Sequence, residues 1–364
     1  MDYVMIREVK KLRERLHQIP ERSLMEEQTK KELMCFLKER TSFQVTDRGK
    51  WFYAWKPAKN AEQKKPPVAF RADMDAVCGR DGNPGHYCGH DGHCSILAGL
   101  ALSLENGIST DRDIYLIFQP AEETGQGARL VSSLLSEKRI PEIYGLHNIP
   151  GYPLGSILLR EGTFACASTG LTIRLTGSPS HAAYPEAGKN PGTALARLLL
   201  SIERLTAKVN REKGFVLMTL IGMEIGSDSY GVSASDGILR LTVRGEKESV
   251  FSDYLNKIYE LATLAAKEGG FRLSYTEVER FPATENHREN VEKIRETAEK
   301  LKLSVITLKA PMRWSEDFGY YLQQSKGAFF GIGDGEDHAQ LHTEDFTFPD
   351  EILETAISLL KNLI

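Results

Sequence analysis

No apolar run in this sequence approaches the roughly 20 residues that span a bilayer. The amino terminus, residues 1–15, is charged and helical in pattern rather than built like a signal peptide, so a cytoplasmic location without membrane contact is expected. Cysteine is scarce: five in 364 residues (Cys35, Cys78, Cys88, Cys94 and Cys166), an odd and scattered set with no Cys-x-x-Cys pair. That argues against a disulfide framework and for reduced thiols. Positive charge is not in surplus either, with a net charge of -4 and a pI near 6.2. Such a balance argues against a nucleic-acid footprint and leaves small molecules as the expected partners.

What is present is a globular composition, 41% hydrophobic and 26% charged, in a chain long enough for two domains. Its densest chemistry is the stretch His86 to His93, which packs three histidines, one cysteine and one aspartate into eight residues. Imidazole, thiolate and carboxylate are ligands for borderline-soft divalent metals, and the two glycines let the backbone aim several of them at one point. Alone, the stretch is equally compatible with a polar loop carrying an incidental thiol, until distant ligands join it.

Residues 4–16 and 25–38 carry apolar side chains at helical spacing, with His17, read as a structural histidine, and Pro20 in the loop between them. Short strands are expected at 43–45 and 51–55. Residues 67–75 form an apolar strand running into Asp73 and Asp75; residues 114–118 run likewise into Gln119-Pro120-Ala121-Glu122-Glu123, and 143–146 into His147-Asn148. Helical segments, 95–104 and 127–137, lie between these strands. The alternation predicts an α/β fold, a mostly parallel sheet flanked by helices, in which ligands collect at the carboxyl ends of the strands. Asp73, Asp75, the Cys88/His90 loop, Glu122, Glu123 and His147 are expected to converge on that edge.

From Gly170 the texture changes. A strand at 171–175, a helix at 190–207, strands at 215–225 and 238–243, a helix at 249–269 and a strand at 271–278 make the split βαβ order of a ferredoxin-like α+β domain. After Pro282 a helix (290–301), two strands (304–307 and 327–332) and a terminal helix (350–363) follow. The expected organisation is a discontinuous catalytic domain, 1–167 and 283–364, interrupted by an inserted lid or dimerisation domain, 168–282.

Five motifs occur in one order: Phe70-Arg71-Ala72-Asp73-Met74-Asp75-Ala76, Cys88-Gly89-His90-Asp91-Gly92-His93, Gln119-Pro120-Ala121-Glu122-Glu123, Gly145-Leu146-His147-Asn148 and Ser315-Glu316-Asp317-Phe318. In these the chain resembles, over nearly its whole length, the amidohydrolase branch of metallopeptidase family 20, which includes aminoacylases, hippurate hydrolases and plant auxin-conjugate hydrolases. The resemblance implies a zinc-exopeptidase-like catalytic domain holding two divalent metal ions, zinc or manganese foremost, with cobalt or nickel as further options. The matching ligand positions are Cys88, His90, Glu123, His147 and His342. His342 is preferred to His338 because Phe346 and Asp350 then keep the family's spacing. Cys88 stands where other branches place a bridging carboxylate, which implies a thiolate near or between the metals.

The resemblance also implies roles beyond the metals. Glu122 matches a non-ligand position and becomes the general base. His181 matches a lid histidine that stabilises the tetrahedral oxyanion; read without the resemblance it is a loop histidine. Arg244 matches an arginine that binds the substrate's free carboxylate, for which the guanidinium fork is suited, its alternative being a surface ion pair. Asp75 and Asp91 are expected to orient ligands. Pairing of a lid edge strand across a two-fold axis would make a homodimer. Two positions depart from the family pattern. Gly231 stands where many members carry asparagine, leaving more of the work to His181 and Arg244, and Tyr87 replaces a small residue and would narrow the pocket. The expected reaction is hydrolysis of an N-acyl amino acid, or a close amide relative, to a carboxylic acid and a free amino acid. The alternatives are a metallo-dipeptidase or carboxypeptidase on the same site, and a non-catalytic small-molecule-binding protein on the same scaffold.

Overall fold

The computed structural model describes residues 3–59, 65–105 and 110–364; the expected helical amino terminus thus has its first two residues outside the described part. The chain divides into two compact units, Met1–Phe164 with Thr284–Pro311 and Glu316–Ile364, and Ala165–Ala283 with Met312–Ser315. The short piece Met312–Ser315, drawn into the larger domain from sequence, groups with the smaller unit. None of the described helices is long and apolar enough to cross a membrane.

The larger unit is built on an eight-stranded sheet in the order Gln44–Asp47, Phe52–Lys56, Arg112–Gln119, Lys65–Asp73, Glu142–Ile149, Lys326–Gly333, Ile157–Leu159 and Val305–Thr307. The four central strands run parallel, and the antiparallel pairings lie toward the edges. Buried on both faces, these central strands read as near-continuous apolar runs, as parallel strands do. The helix His90–Ser103 packs against Tyr3–His17 and Ile352–Asn362. Its apolar residues, Ile96, Leu97 and Leu100, share one core with Phe70, Leu116 and Phe330 of the sheet.

Three elements differ from expectation. The helix expected from 95 begins at His90, because the first turn is polar and only Gly89, in the left-handed region at φ 94°, marks its start. The expected 127–137 helix is broken into Gly127–Val131 and Ser133–Glu137, where the Leu135 amide closes a tight turn on the Ser132 carbonyl. His147 lies inside its strand, which runs on to Ile149 through pairing with Lys326–Gly333.

The smaller unit is a four-stranded antiparallel sheet in the order Val216–Ile225, Asp236–Gly245, Ala167–Thr176 and Arg272–Phe281, with helices Gly192–Glu212 and Glu248–Gly269. Alternation sends Leu171, Ile173, Leu175, Leu239, Leu241 and Val243 inward against Leu195, Leu198, Ile202, Phe251, Tyr254 and Ile258 of both helices. The chain and strand orders are those of a ferredoxin-like βαββαβ unit.

At the amino-terminal end of the large sheet Glu142 ties several elements together. It accepts hydrogen bonds from Arg112 Nη1 at 2.8 Å, Tyr144 Oη at 2.6 Å, Lys293 Nζ at 3.0 Å and Asn290 Nδ2 at 3.2 Å. Burial alone would raise its pKa, but the bonds from Tyr144, Lys293 and Arg112, with the charge of Lys293, hold it below the ordinary carboxylate value. A depressed folded-state pKa means stability that is present above the unfolded value and lost as pH falls through the folded one. Glu142→Gln should therefore cost about 1–3 kcal/mol near neutral pH, with the gap to the parent closing as acid protonates Glu142; urea melts at neutral and acidic pH measure it.

Candidate metal centre

The strand Lys65–Asp73 leaves the sheet at its carboxyl end, and Asp75, two residues on, is fully buried. Its Oδ1 accepts the Glu122 amide and its Oδ2 the Glu123 amide, each at 3.0 Å. Its backbone carbonyl lies 2.9 Å from His90 Nδ1. One aspartate thus positions a histidine and the two glutamates that follow the strand Arg112–Gln119.

Gly89 sits between Cys88 and His90 with φ 94°, where a Cβ would meet Asn148 Oδ1 at 2.4 Å. The glycine lets the chain turn into the helix at His90, so that Cys88 and His90, both buried, face the same point. A backbone carbonyl only accepts, so His90 carries its proton on Nδ1, and so does His147, whose Nδ1 lies 2.7 Å from Asn148 O. Both therefore turn Nε2 toward the cluster, the ring nitrogen that such second contacts leave for a metal. Cys88 Sγ is 3.4 Å from His147 Nε2 and 3.3 Å from His342 Nε2. Glu123 Oε1 lies 3.6 Å from both His90 Nε2 and His342 Nε2.

These atoms form two trios, Cys88/His90/His147 and Cys88/Glu123/His342, each with ligand atoms within 4.8 Å of one another and both sharing the thiol. His90 Nε2 and Glu123 Oε1 are buried and make no hydrogen bond. Two buried lone-pair donors aimed at one place, beside a thiol and two further imidazoles, fit a pair of borderline-soft divalent cations. The His342 side chain, 54% exposed, forms the open rim. His342 itself holds φ 62°, left-handed backbone that costs a non-glycine residue on the order of 1–2 kcal/mol, and its amide donates to Tyr87 O at 2.8 Å.

The electrostatics describe a cluster short of positive charge. Burial, then the nearby Glu123 and Glu122, push the Cys88 thiol well up. Burial raises Glu123 to about 7, and burial with Glu316 and Glu123 raises Glu122 well above the usual carboxylate range. Burial, then His93, lowers His147. For His90 burial acts downward but Asp73, Asp75 and Glu123 prevail and lift it to about 10. A bound cation reverses this logic, deprotonating a coordinating thiol outright.

Behind the cluster the buried Arg71 donates to Gln119 Oε1 at 2.8 Å, Asp73 Oδ2 at 2.7 Å, Glu316 Oε1 at 2.9 Å and Asp317 Oδ1 at 2.8 Å. The Asp317 amide lies 3.4 Å from Glu122 Oε1. Arg71 and Glu316, two motif residues to which the sequence assigns no role, thus meet in one ion-pair hub. His93, inside the metal-like octapeptide, has both ring nitrogens taken up, by Asp73 Oδ1 at 2.6 Å and Asn148 Oδ1 at 2.7 Å.

One expected orienting carboxylate faces elsewhere. Asp91 Oδ2 accepts from His17 Nδ1 at 2.8 Å and lies 3.7 Å from Arg13, so it anchors the first turn of its helix to the amino-terminal helix rather than to a ligand. His338, the rival of His342, packs on Phe346 and has Nδ1 3.2 Å from Ala339 O. His181 and Arg244 belong to the smaller unit. His181 is exposed on a two-stranded ribbon paired with Val232, and its Nδ1 accepts the Ala183 amide at 3.1 Å. Arg244 Nη1 donates to Arg313 O and Ser315 Oγ, both at 3.0 Å. Gly231 has open space where a side chain would stand, and its carbonyl accepts the Ala182 amide at 3.0 Å.

A mostly parallel sheet that gathers a thiol, three imidazoles and a glutamate at its carboxyl end, with a further buried glutamate beside them, has the donor set of a metal-dependent hydrolase. Residues 69–364 match the family described as Peptidase family M20/M25/M40, and the chain belongs to that family. It is 30% identical over 358 residues to N-acetyl-L-cysteine deacetylase of Bacillus subtilis (strain 168), spanning 95% of this chain and 84% of that protein. It is 27% identical over 366 residues to N-acetyldiaminopimelate deacetylase of Lacticaseibacillus paracasei, spanning 93% and 92%. Its fold is similar to that of the Bacillus subtilis YXEP protein, a dinuclear metal binding peptidase from the M20 family, with TM-score 0.84 at 23% identity and coverage of 100% and 98%.

Gly89→Ala should weaken zinc binding by roughly 10–100-fold, the range seen when the groups that orient metal ligands are disturbed. Competition with a chromophoric chelator measures it, and unchanged affinity would show that the gap between Cys88 and His90 does not depend on glycine.

Proposed function

We propose that the chain hydrolyses N-acyl amino acids, or close amide relatives, to a carboxylic acid and a free amino acid, with Glu122 as general base. The observation that carries the reading is the place of Glu122: its carboxylate lies within 4.8 Å of ligand atoms of His90 and Glu123, while its backbone is held by Asp75. Cys88, His90 and His147 would hold one divalent ion, and Cys88, Glu123 and His342 the other. Zinc or manganese suits the mixed sulfur, nitrogen and oxygen donors, with cobalt and nickel as further options. When bound, two such ions lower the pKa of a water and polarise the amide carbonyl.

Glu122 then takes the proton of the attacking water and delivers it to the departing amine. His181 stabilises the oxyanion: because its Nδ1 accepts the Ala183 amide, the neutral ring presents Nε2–H, a donor. Arg244, its guanidinium braced by Arg313 O and Ser315 Oγ, receives the substrate's carboxylate. Deacylation is also the activity named for the two deacetylase relatives.

The smaller unit's edge strand Val216–Ile225, with Leu220, Ile221 and Ile225 exposed, is the surface on which a homodimer would form. A cytoplasmic setting suits five cysteines that are all free and a thiol at the centre of the site.

Glu122→Gln should retain metal and lose turnover by roughly 10²–10⁴-fold on an acetyl-amino acid, with near-parent activity removing Glu122 from its role. Chelator treatment should abolish hydrolysis and readdition of zinc, manganese, cobalt or nickel should restore it unequally; an enzyme indifferent to chelators contradicts the proposal. A panel of acetyl- and benzoyl-amino acids against dipeptides should show turnover of the former, whereas preferential dipeptide cleavage would reassign the site to a dipeptidase.

A further inference from the structure

The loop between the first two helices reaches the end of the sheet. Ser23 Oγ donates to Asp75 Oδ2 at 2.6 Å, and the Ala76 amide donates to Glu21 O at 2.8 Å. Glu26, 2% exposed, accepts the Leu24 amide at 3.0 Å and the Ala121 amide at 2.8 Å through one oxygen, while its other oxygen is buried with no hydrogen bond. Ala121 holds φ 52°, a left-handed conformation that an L-residue keeps only when its surroundings fix it. Three consecutive amides, those of Ala121, Glu122 and Glu123, are therefore held by two buried carboxylates, Glu26 taking the first and Asp75 the other two.

We propose that Glu26 is a positioning residue: it locks the left-handed turn at Ala121 that sends Glu122 and Glu123 to their separate places at the metal centre. Asp75 holds the two amides after the turn and the Ala121 carbonyl accepts the Gln126 and Gly127 amides at 3.2 and 3.0 Å, while Glu26 holds the Ala121 amide itself; a turn inverted at that amide would swing the Glu122 carboxylate away from His90 without removing any ligand. Burial, followed by the neighbouring Asp75, pushes the Glu26 carboxyl up to about 7, so glutamine reproduces its protonated form and keeps the oxygen that Ala121 needs. The kinetic part of this inference rests on Glu122 being the base.

Glu26→Ala, Glu26→Asp and Glu26→Gln in the full chain test it, Glu26→Asp retracting the acceptor by one methylene should the alanine variant not fold. Two readouts apply, steady-state kinetics of the metal-reconstituted enzyme on an acetyl-amino acid and hydrogen exchange of the 121–123 amides. Alanine and aspartate should lower kcat about 10–100-fold with KM within about threefold, the size of loss that a misplacement near 1 Å causes. They should also speed exchange at those amides about tenfold or more, in proportion to the lost protection. Glutamine should restore both. Unchanged exchange in the alanine or aspartate variant, or a glutamine variant as impaired as aspartate, overturns the proposal. A parent enzyme inactive on every acyl-amino acid would defeat the amidohydrolase reading instead, and amide exchange would then decide for or against Glu26 by itself.

Discussion

Carboxylates, a thiol and imidazoles are buried together at one end of one sheet, and cations placed among them would let the acidic groups stay ionised. Asp73, Asp75, Glu122, Glu316 and Asp317 are almost entirely shielded from water. Arg71 is the fixed counter-charge on their far side, bonded to three of them. One guanidinium does not neutralise that group, and an uncompensated buried carboxylate costs several kcal/mol. The raised pKa values of Glu122, Glu123 and Cys88 express the same deficit. Two divalent ions among Cys88, His90, Glu123, His147 and His342 would offset it on the near side.

The two ends of the sheet divide the work. At the amino-terminal end Glu142 bonds groups from the strand next but one and from a helix into a network whose effect is on stability. At the carboxyl end the hydrogen bonds serve other functional groups: Asp75, just past its strand, holds His90 through its carbonyl and the Glu122 and Glu123 amides through its side chain, and Glu26, from the loop between the first two helices, holds Ala121. Such paired arrangements follow from parallel strands, which all release their chains on one side.

Much of this was legible in the sequence where a signal was local. Acidic residues just past apolar strands announced Asp73, Asp75, Glu122 and Glu123, and the alternation of strand and helix announced the sheet. His342 was reachable only through a whole-chain resemblance, since it lies 254 positions from the cysteine it approaches. The start of the helix at His90 was hidden because apolar periodicity begins only at Ile96; the left-handed Gly89 was the available mark. Asp91 was misread because a helix rotates successive side chains by about 100°, turning it away from the face that His90 uses. Glu26 reads as an ordinary glutamate before an amphipathic helix, and no period reveals a side chain that folds back to serve a turn far along the chain. Gly231, read as a loss, supports the His181 ribbon through its backbone carbonyl, which needs no side chain.

In the proposed reading Cys88 would stand between two divalent cations, with His90 and His147 on one side and Glu123 and His342 on the other. Anomalous diffraction from zinc-reconstituted crystals, collected on both sides of the zinc absorption edge, tests it most directly. Two peaks are expected, one beside His90 and His147 and one beside Glu123 and His342, both next to Cys88 Sγ. A single peak, or a pair that leaves the sulfur unbound, would contradict it.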